Sequence, residues 1–273
     1  MLSRISPFFL LSCRTMSTVG TRKLEGKVAV ITASTDGIGY AIADRLAKDG
    51  AKIMISSRKQ VNVDRAVDTL RTEHGNEAVA GIVCHVGKDE DRKNLISEAI
   101  SRFGQLHILV SNAAVNPTFG PTLETPEAAW DKIFEVNVKS AAMIAKEAYP
   151  HLKKTSGNIV FVSSIGGYEP FNFLGPYSVS KTALFGLTKV LADELAPDNI
   201  RVNCLAPGVI KTRFSETLWK NDMIANEALK KISLNRFGEP ADCAGAVSFM
   251  VSDDACYMTG ETVVIGGGMK SRL

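Results

Sequence analysis

The sequence lacks a long hydrophobic run and a strong excess of charge of one sign. Its apolar runs are far shorter than the ~20 residues that a bilayer span needs, so we predict no membrane span. The net charge is only +3, from 32 basic and 29 acidic residues that are spread along the chain. This balance gives no argument for a nucleic-acid partner and leaves a small molecule as the expected one.

The cysteines form no CxxC pair, and no histidine cluster accompanies them. An odd, scattered set favours free thiols in a reducing compartment and argues against a structural zinc site. We therefore predict no metal. The five cysteines are Cys13, Cys84, Cys204, Cys243 and Cys256.

The two ends of the chain differ in composition from its middle. Residues 1–20 contain two arginines and no acid, which is typical of a mitochondrial presequence; a disordered extension fits equally well. Residues 271–273 read S-R-L, a conservative variant of the S-K-L address that the peroxisomal import receptor reads. We assign 21–270 to the folded domain and predict a peroxisomal protein, with the mitochondrion as second compartment.

Short apolar runs alternate with amphipathic stretches between residues 27 and 267. The runs are apolar throughout, which is typical of parallel strands buried on both faces. The pattern predicts a single α/β domain: a Rossmann-type, doubly wound parallel sheet of about seven strands with helices on both faces. We predict strands at 27–33, 52–57, 79–86, 106–114, 158–164, 201–207 and 262–267, and helices at 37–50, 60–74, 88–103, 125–150, 176–197, 214–235 and 239–252.

The first predicted strand runs into the turn TASTDGIG and then into a helix. Such a turn places backbone N–H groups and the positive end of a helix dipole against a pyrophosphate, so it favours a dinucleotide. We predict that the turn binds the cofactor through Ala33, Ser34, Thr35, Asp36, Gly37, Ile38 and Gly39.

The second strand ends in the basic sequence Ser57-Arg58-Lys59 and carries no acid. An NAD site usually has an Asp or Glu there for the ribose 2′-hydroxyl, whereas a guanidinium binds a 2′-phosphate through charge-assisted hydrogen bonds. An ordinary basic loop is the alternative. We predict NADP(H), with Arg58 as main anchor and Ser57 and Lys59 in support.

Tyr177 and Lys181 stand at positions i and i+4 of a predicted helix, on one face. Taken alone, such a pair is more often a packed tyrosine with a lysine that reaches solvent. Three strand ends, at 112–114, 163–164 and 207–208, bring further polar groups to the same edge of the sheet. Because a phenol is a poor acid until a cation stands beside it, we interpret Tyr177 as proton donor and Lys181 as the group that lowers its pKa.

The chain resembles the short-chain dehydrogenase/reductase family over 25–267. The motifs that carry the resemblance are TASTDGIG, SNAA, the Asn of EVNV, the second Ser of VSS, YSVSK and PGVIKT. The resemblance implies that Ser164 binds the carbonyl oxygen, that Asn137 fixes a water linking Lys181 to solvent, and that Lys181 holds the nicotinamide ribose. It implies these further cofactor-binding residues: His85, Val86, Asn112, Ala113, Ala114, Pro207, Gly208, Ile210 and Thr212.

Three positions depart from the family pattern. Ala33 stands where a glycine opens the turn, Ala114 stands where glycine is common, and His85 stands where an acid often lies near the adenine. The adenine contact is therefore open, with the backbone of Val86 as the other candidate. None of the three touches the proton or hydride chemistry.

Aromatic residues flank the predicted catalytic residues in the sequence. Phe171 and Phe173 precede Tyr177, and Phe214 and Trp219 follow the sixth strand. They form either a pocket for apolar carbonyl compounds or part of the domain's own packed surface. We predict that these four residues contact the substrate.

The resemblance implies an NADPH-dependent carbonyl reductase for apolar or aromatic ketones, α-dicarbonyls or retinal. A 3-oxoacyl reductase of lipid metabolism would use the same residues and is the alternative. A catalytically silent NADP-binding or assembly protein is an alternative of another class, against which the intact Ser164, Tyr177 and Lys181 argue. By resemblance we also expect a homotetramer, with interfaces on the helices at 125–150 and 176–197 and on the last strand.

Overall fold

One parallel sheet forms the centre of the computed structural model, which describes residues 22–75 and 77–271. Its seven strands lie in the order β3-β2-β1-β4-β5-β6-β7, so the chain winds from β1 to one edge and then to the other. Ile31 of β1 pairs with Ile55 on one side and with Val110 on the other. The predicted doubly wound sheet is confirmed. The strands are β1 (Val28–Ile31), β2 (Lys52–Ser57), β3 (Val79–Val83), β4 (Ile108–Ser111), β5 (Asn158–Val162), β6 (Arg201–Pro207) and β7 (Thr262–Ile265).

Helices cover both faces of the sheet, and a separate apolar layer lies under each face. On one face α1, α2 and α9 pack residues such as Leu46, Leu70 and Val247 against the sheet. On the other face α3, α5 and α6 pack residues such as Ile96 and Ile144. The helices are α1 (Gly37–Lys48), α2 (Gln60–His74), α3 (Asp89–Phe103), α4 (Glu127–Phe134), α5 (Ser140–Thr155), α6 (Gly175–Leu195), α7 (Glu216–Trp219), α8 (Asp222–Leu229) and α9 (Pro240–Met250).

The helix predicted at 125–150 is interrupted. Residues Glu135–Lys139 form a π-helical stretch between α4 and α5, and α5 then continues to Thr155 with Pro150 inside it. A π-helical stretch widens the helix and often occurs at functional sites. Here it contains Asn137, whose side-chain contacts are described below.

The single helix predicted at 214–235 is wrong. The segment contains two short helices, α7 and α8, because Asn221 starts a new helix: its Oδ1 accepts from Met223 N at 3.1 Å and from Ile224 N at 3.3 Å. A small apolar cluster that includes Val209 and Ile232 lies beneath the segment. We call residues 208–235 the lid.

Several predictions concern residues that lie outside the described ranges. These residues are the extension 1–20 and, in the terminal S-R-L, Arg272 and Leu273. Among residues 22–75 and 77–271, every helix is too short or too polar to cross a membrane.

The cysteines follow the prediction of free thiols only in part. Cys84, Cys204 and Cys243 are buried and free. Cys256 is disulfide-bonded, so the prediction is wrong at that position, and Cys13 lies outside the described residues.

Candidate active site

The turn between β1 and α1 is held by its own side chains and by Asn112, which follows β4. Asp36 caps α1, because its Oδ1 accepts a hydrogen bond from Gly37 N at 2.8 Å. A Cβ at Gly39 would lie 2.5 Å from both Ala33 O and Asn112 Nδ2, so only glycine fits there. Asn112 Nδ2 donates to Ala33 O at 3.0 Å, and Ala33 has a φ of 50°. The turn therefore keeps the left-handed conformation that glycine favours, although the residue is alanine.

A cavity of about 560 Å³ lies along the carboxyl edge of the sheet, from the end of β3 past this turn to the start of α6. Its volume is in the range of cofactor pockets. The N-terminus of α1 at this cavity, together with cations at one end, fits a dinucleotide. The predicted cofactor residues that line it are Ala33, Thr35, Asp36, Gly37, Ile38, Ser57, Arg58, Lys59, His85, Val86, Asn112, Ala113, Ala114, Tyr177, Lys181 and Thr212.

Five predicted cofactor residues do not line this larger cavity. Ser34 is fully buried, and its Oγ donates to Ile31 O at 2.6 Å inside the turn. Gly39 packs against the turn itself, next to Ala33 O and Asn112, and does not face the cavity. The other three, Pro207, Gly208 and Ile210, line a second cavity that adjoins the first.

The end of β2 supplies two of the cations that line the larger cavity. Arg58 and Lys59 follow Ser57, the last residue of β2, and both side chains are exposed. The first turn of α2 contains no acid, so no carboxylate there opposes an anion at the positive end of the helix. Two cations beside a helix N-terminus fit a phosphate group, as the 2′-phosphate of NADP(H) requires.

Ser164, Tyr177 and Lys181 meet where the larger cavity adjoins the second one: Lys181 lines the larger, Ser164 the second, and Tyr177 both. Tyr177 is the third residue of α6, and Ser164, which follows β5, lines the second cavity together with it. Lys181 follows one turn later; its Nζ lies 5.6 Å from the centre of the Tyr177 ring and donates to Val162 O at 2.8 Å. All three side chains are buried. The structure thus brings together a hydroxyl, a phenol and a cation at the opening between two cavities.

Burial controls the protonation of Tyr177 and Lys181. It raises the pKa of Tyr177 to about 12, and the neighbouring Ser164 hydroxyl opposes this only in part. It also lowers the pKa of Lys181 to about 8. In the protein alone the predicted lowering of the Tyr177 pKa by Lys181 is therefore wrong: desolvation raises this pKa, and only Ser164 opposes it. At neutral pH the phenol keeps its proton, which is the form that a proton donor needs.

Lys181→Met is expected to raise the free energy of unfolding at pH 7 while it removes activity. The pKa of Lys181 falls from 10.5 to about 8 on burial, so the unfolded chain binds this proton more tightly. Burying the charged lysine therefore lowers the free energy of unfolding by roughly 3 kcal/mol below pH 8. This destabilisation fades as the pH rises to 10.5. Because methionine also loses the hydrogen bond to Val162 O, we expect a net gain of about 1–2 kcal/mol at pH 7.

Urea unfolding of both proteins at pH 7 and at pH 10.5 measures this effect. The gain should vanish or change sign at the higher pH, since the wild-type lysine is then neutral in the native state and half neutral in the unfolded state. An effect of the substitution that is equal at both pH values would contradict the assigned pKa.

The second cavity, of about 300 Å³, adjoins the first at Tyr177. Ser164 and Tyr177 give it a polar base, and aromatic, aliphatic and uncharged polar side chains form its walls. The Phe214 ring lies against Tyr177, with 5.7 Å between ring centres. None of the described residues that line this smaller cavity has a charged side chain. The cavity therefore suits an uncharged, apolar molecule that presents an oxygen to the two hydroxyls.

The structure separates the predicted substrate residues into two groups. Phe171 and Phe214 line the smaller cavity. Phe173 and Trp219 do not: Phe173 packs on Phe119 with 5.5 Å between ring centres, and Trp219 Nε1 donates to Thr212 O at 3.2 Å. Trp219 therefore stabilises the lid through this hydrogen bond and does not face the substrate cavity.

Asn137 lines neither cavity. Its Oδ1 accepts from Val115 N at 2.8 Å, and its Nδ2 donates to Val115 O at 3.0 Å and to Ser180 Oγ at 2.9 Å. These bonds join the π-helical stretch to the loop after β4 and to α6, which carries Tyr177 and Lys181. Asn137 thus positions the catalytic helix, and its predicted role in holding a water stays a prediction.

The sequence reasoning missed one wall of each cavity. In the smaller cavity the wall that was not predicted is the loop after β4. The sequence indicated it only by its position directly after SNAA, at the carboxyl end of a strand. In the larger cavity the missing members include a lid cation and a cation of α4. These residues are Asn116, Pro117, Thr118, Phe119, Lys132 and Arg213.

Comparison with known proteins gives matches over most of the chain. The sequence model of the family described as enoyl-(acyl carrier protein) reductase matches residues 32–270. Dehydrogenase/reductase SDR family member 4 of Sus scrofa is 57% identical over 253 residues, which is 92% of this chain and 90% of that protein.

Solved structures agree with these matches. A variant of a Serratia marcescens short-chain dehydrogenase/reductase has a TM-score of 0.83 at 31% identity, covering 90% of this chain and 98% of that chain. A Beutenbergia cavernae structure with NADP bound at low occupancy has a TM-score of 0.85 at 29% identity, covering 91% of this chain and 98% of that chain.

Proposed function

The chain belongs to the short-chain dehydrogenase/reductase family, and from that premise we propose that it reduces apolar or aromatic carbonyl compounds with NADPH. Membership of the family makes it an oxidoreductase of CH–OH and C=O groups. The observation that carries the substrate proposal is the smaller cavity, which has Ser164 and Tyr177 at its base and no charged side chain in its described lining.

NADPH is proposed over NADH because of the residues at the end of β2. Arg58 and Lys59 place two cations where the adenosine ribose would lie, and the position has no carboxylate to bind a 2′-hydroxyl. The similar structure from Beutenbergia cavernae has NADP bound, which supports the proposal of NADP(H) for this chain.

Tyr177 and Ser164 carry out the proton chemistry in the proposed mechanism. Both hydroxyls bind the carbonyl oxygen, and Tyr177 transfers its proton to that oxygen as negative charge develops. The nicotinamide, when bound, supplies hydride to the carbonyl carbon. Lys181 places its ammonium beside the phenolate that Tyr177 becomes, and its bond to Val162 O keeps it there. Alcohol oxidation uses the same groups, with Tyr177 as base.

The smaller cavity favours an uncharged substrate. A carboxylate or phosphate that entered it would lose its hydration and find no cation among the described lining residues. Apolar ketones, α-dicarbonyls and retinal meet this condition. A 3-oxoacyl thioester meets it only at its acyl end, so the charged carrier would have to stay outside.

A screen of purified protein against these classes tests the proposal. NADPH oxidation should be fastest with aromatic ketones, α-diketones or retinal, and slower with NADH. A preference for 3-oxoacyl thioesters would select the lipid-metabolism alternative. NADPH binding without turnover of any class would select a silent binding protein.

We propose that the terminal S-R-L directs the protein to peroxisomes. The tripeptide fits a receptor-read address, whereas residues 1–20 have only a compositional bias. A fluorescent reporter fused to the N-terminus should lose its peroxisomal pattern when residues 271–273 are deleted. An unchanged pattern after this deletion would contradict the proposal.

We propose a homotetramer, on the family resemblance. Val179 and Val190 leave apolar surface on the exposed side of α6, each with 47% of its surface accessible, which supports a covered face there. Light scattering at micromolar concentration should give about four times the mass of one chain, and a monomer would contradict the proposal.

A further inference from the structure

An ion pair fastens the lid to the glycine-rich turn across the larger cavity. Asp36 Oδ2 accepts a hydrogen bond from Arg213 Nη2, although 177 positions separate the two residues in the chain. Beside them, a Cβ at Gly37 would lie 3.2 Å from Thr212 Cγ2, so the next residue of the turn touches the preceding residue of the lid. All four residues line the larger cavity. The two contacts form one continuous crossing, which we call the clasp.

The clasp lies between the two ends of the larger cavity. Arg58 and Lys59 stand at one end, and Tyr177 and Lys181 stand at the other. A dinucleotide that spans these ends has its pyrophosphate in the middle, against the N-terminus of α1. The phosphates would therefore lie next to the clasp.

The carboxylate of Asp36 opposes an anion at this place. Its Oδ1 already accepts from Gly37 N, so a negative side chain occupies the N-terminus of α1 that would otherwise attract a phosphate. Arg213 stands on the opposite side of that carboxylate and cancels its charge. Without Arg213, an uncompensated negative charge would face the pyrophosphate.

We propose that Arg213 is a positioning residue for the dinucleotide that acts through Asp36, by neutralising the carboxylate that faces the pyrophosphate. The proposal rests on the proposed function, because it requires a dinucleotide in the larger cavity. It does not depend on the 2′-phosphate, since NADH and NADPH share the pyrophosphate. The loss of Arg213 should therefore weaken both cofactors.

A double-mutant cycle on equilibrium binding tests the clasp. Dissociation constants for NADPH and NADH, measured by cofactor fluorescence without substrate, are compared for wild type, Arg213→Gln, Asp36→Asn and the double variant. Asparagine caps a helix as well as aspartate, so Asp36→Asn removes the charge and keeps α1 intact. Arg213→Gln should raise both constants by about tenfold, and Asp36→Asn should not raise them. The double variant should return to within about threefold of wild type.

Lys211→Gln is the matched control. Lys211 belongs to the same lid, carries the same charge and pairs with Glu239 at 3.3 Å, but it does not line the larger cavity. It should leave both dissociation constants unchanged.

Three outcomes would overturn the clasp. They are an Arg213→Gln variant that binds like Lys211→Gln, a double variant as weak as Arg213→Gln, and a wild type that binds neither dinucleotide. The last outcome would also reject the proposed function. A cycle that holds for NADH in a protein without preference for NADPH would reject only the cofactor assignment.

Discussion

Tyr177→Phe is expected to lower kcat for ketone reduction by roughly 10³-fold. The substitution keeps the ring that packs on Phe214, so the wall of the smaller cavity and the start of α6 remain. It removes the hydroxyl that shares the base of the smaller cavity with Ser164. Ser164 alone cannot replace it, because only Tyr177 has a lysine held one turn away to stabilise the anion left after proton transfer.

Steady-state NADPH oxidation at saturating ketone measures this loss, and NADPH fluorescence shows whether the cofactor still binds. Tyr149→Phe is the matched control, because it loses a phenol that bonds to Asp198 at 2.6 Å on the surface of α5. That variant should keep wild-type turnover. Full turnover in Tyr177→Phe would reject the mechanism and leave the fold unaffected.

Arg58→Asp is expected to reverse the preference between the two cofactors. The change replaces a guanidinium that binds a phosphate with a carboxylate that repels it, so the NADPH dissociation constant should rise by roughly 100-fold. The NADH constant should fall or stay the same, since a carboxylate at the end of β2 can accept the ribose 2′-hydroxyl. Both constants are measured by cofactor fluorescence.

Arg65→Asp makes the same change of charge on an exposed residue of α2 outside the lining of the larger cavity. It should leave the preference for NADPH in place. An NADPH affinity in Arg58→Asp equal to that of the control would remove the 2′-phosphate assignment from Arg58.

The sheet and most helices could be predicted because their signals are local. A strand such as β5 is apolar at every position from Ile159 to Val162, as burial on both faces requires. The lid could not be predicted in the same way. Its apolar residues have helical spacing, but the cap at Asn221 starts a second helix, and the apolar cluster beneath the lid includes Met269, far from it in the chain.

The signal for Tyr177 and Lys181 was also local in the sequence, whereas the side chains that surround them come from distant parts of the chain. Tyr177 and Lys181 are four residues apart on one helix, so helical geometry alone places them together. The sequence could not show that Lys181 bonds to Val162 O, or that burial raises the pKa of Tyr177. Both depend on β5 and on the desolvation that packed neighbours produce.

From the chain alone came the order of strands and helices, the glycine-containing turn, the cations after β2 and the spacing of tyrosine and lysine. Each is a property of residues close together in the sequence, where backbone geometry fixes their relation. Folding alone decided which side chains share the two cavities, how Asn137 ties the loop after β4 to α6, and that Asp36 meets Arg213. These relations join residues far apart in the chain, and their distances are set by how helices pack on the sheet.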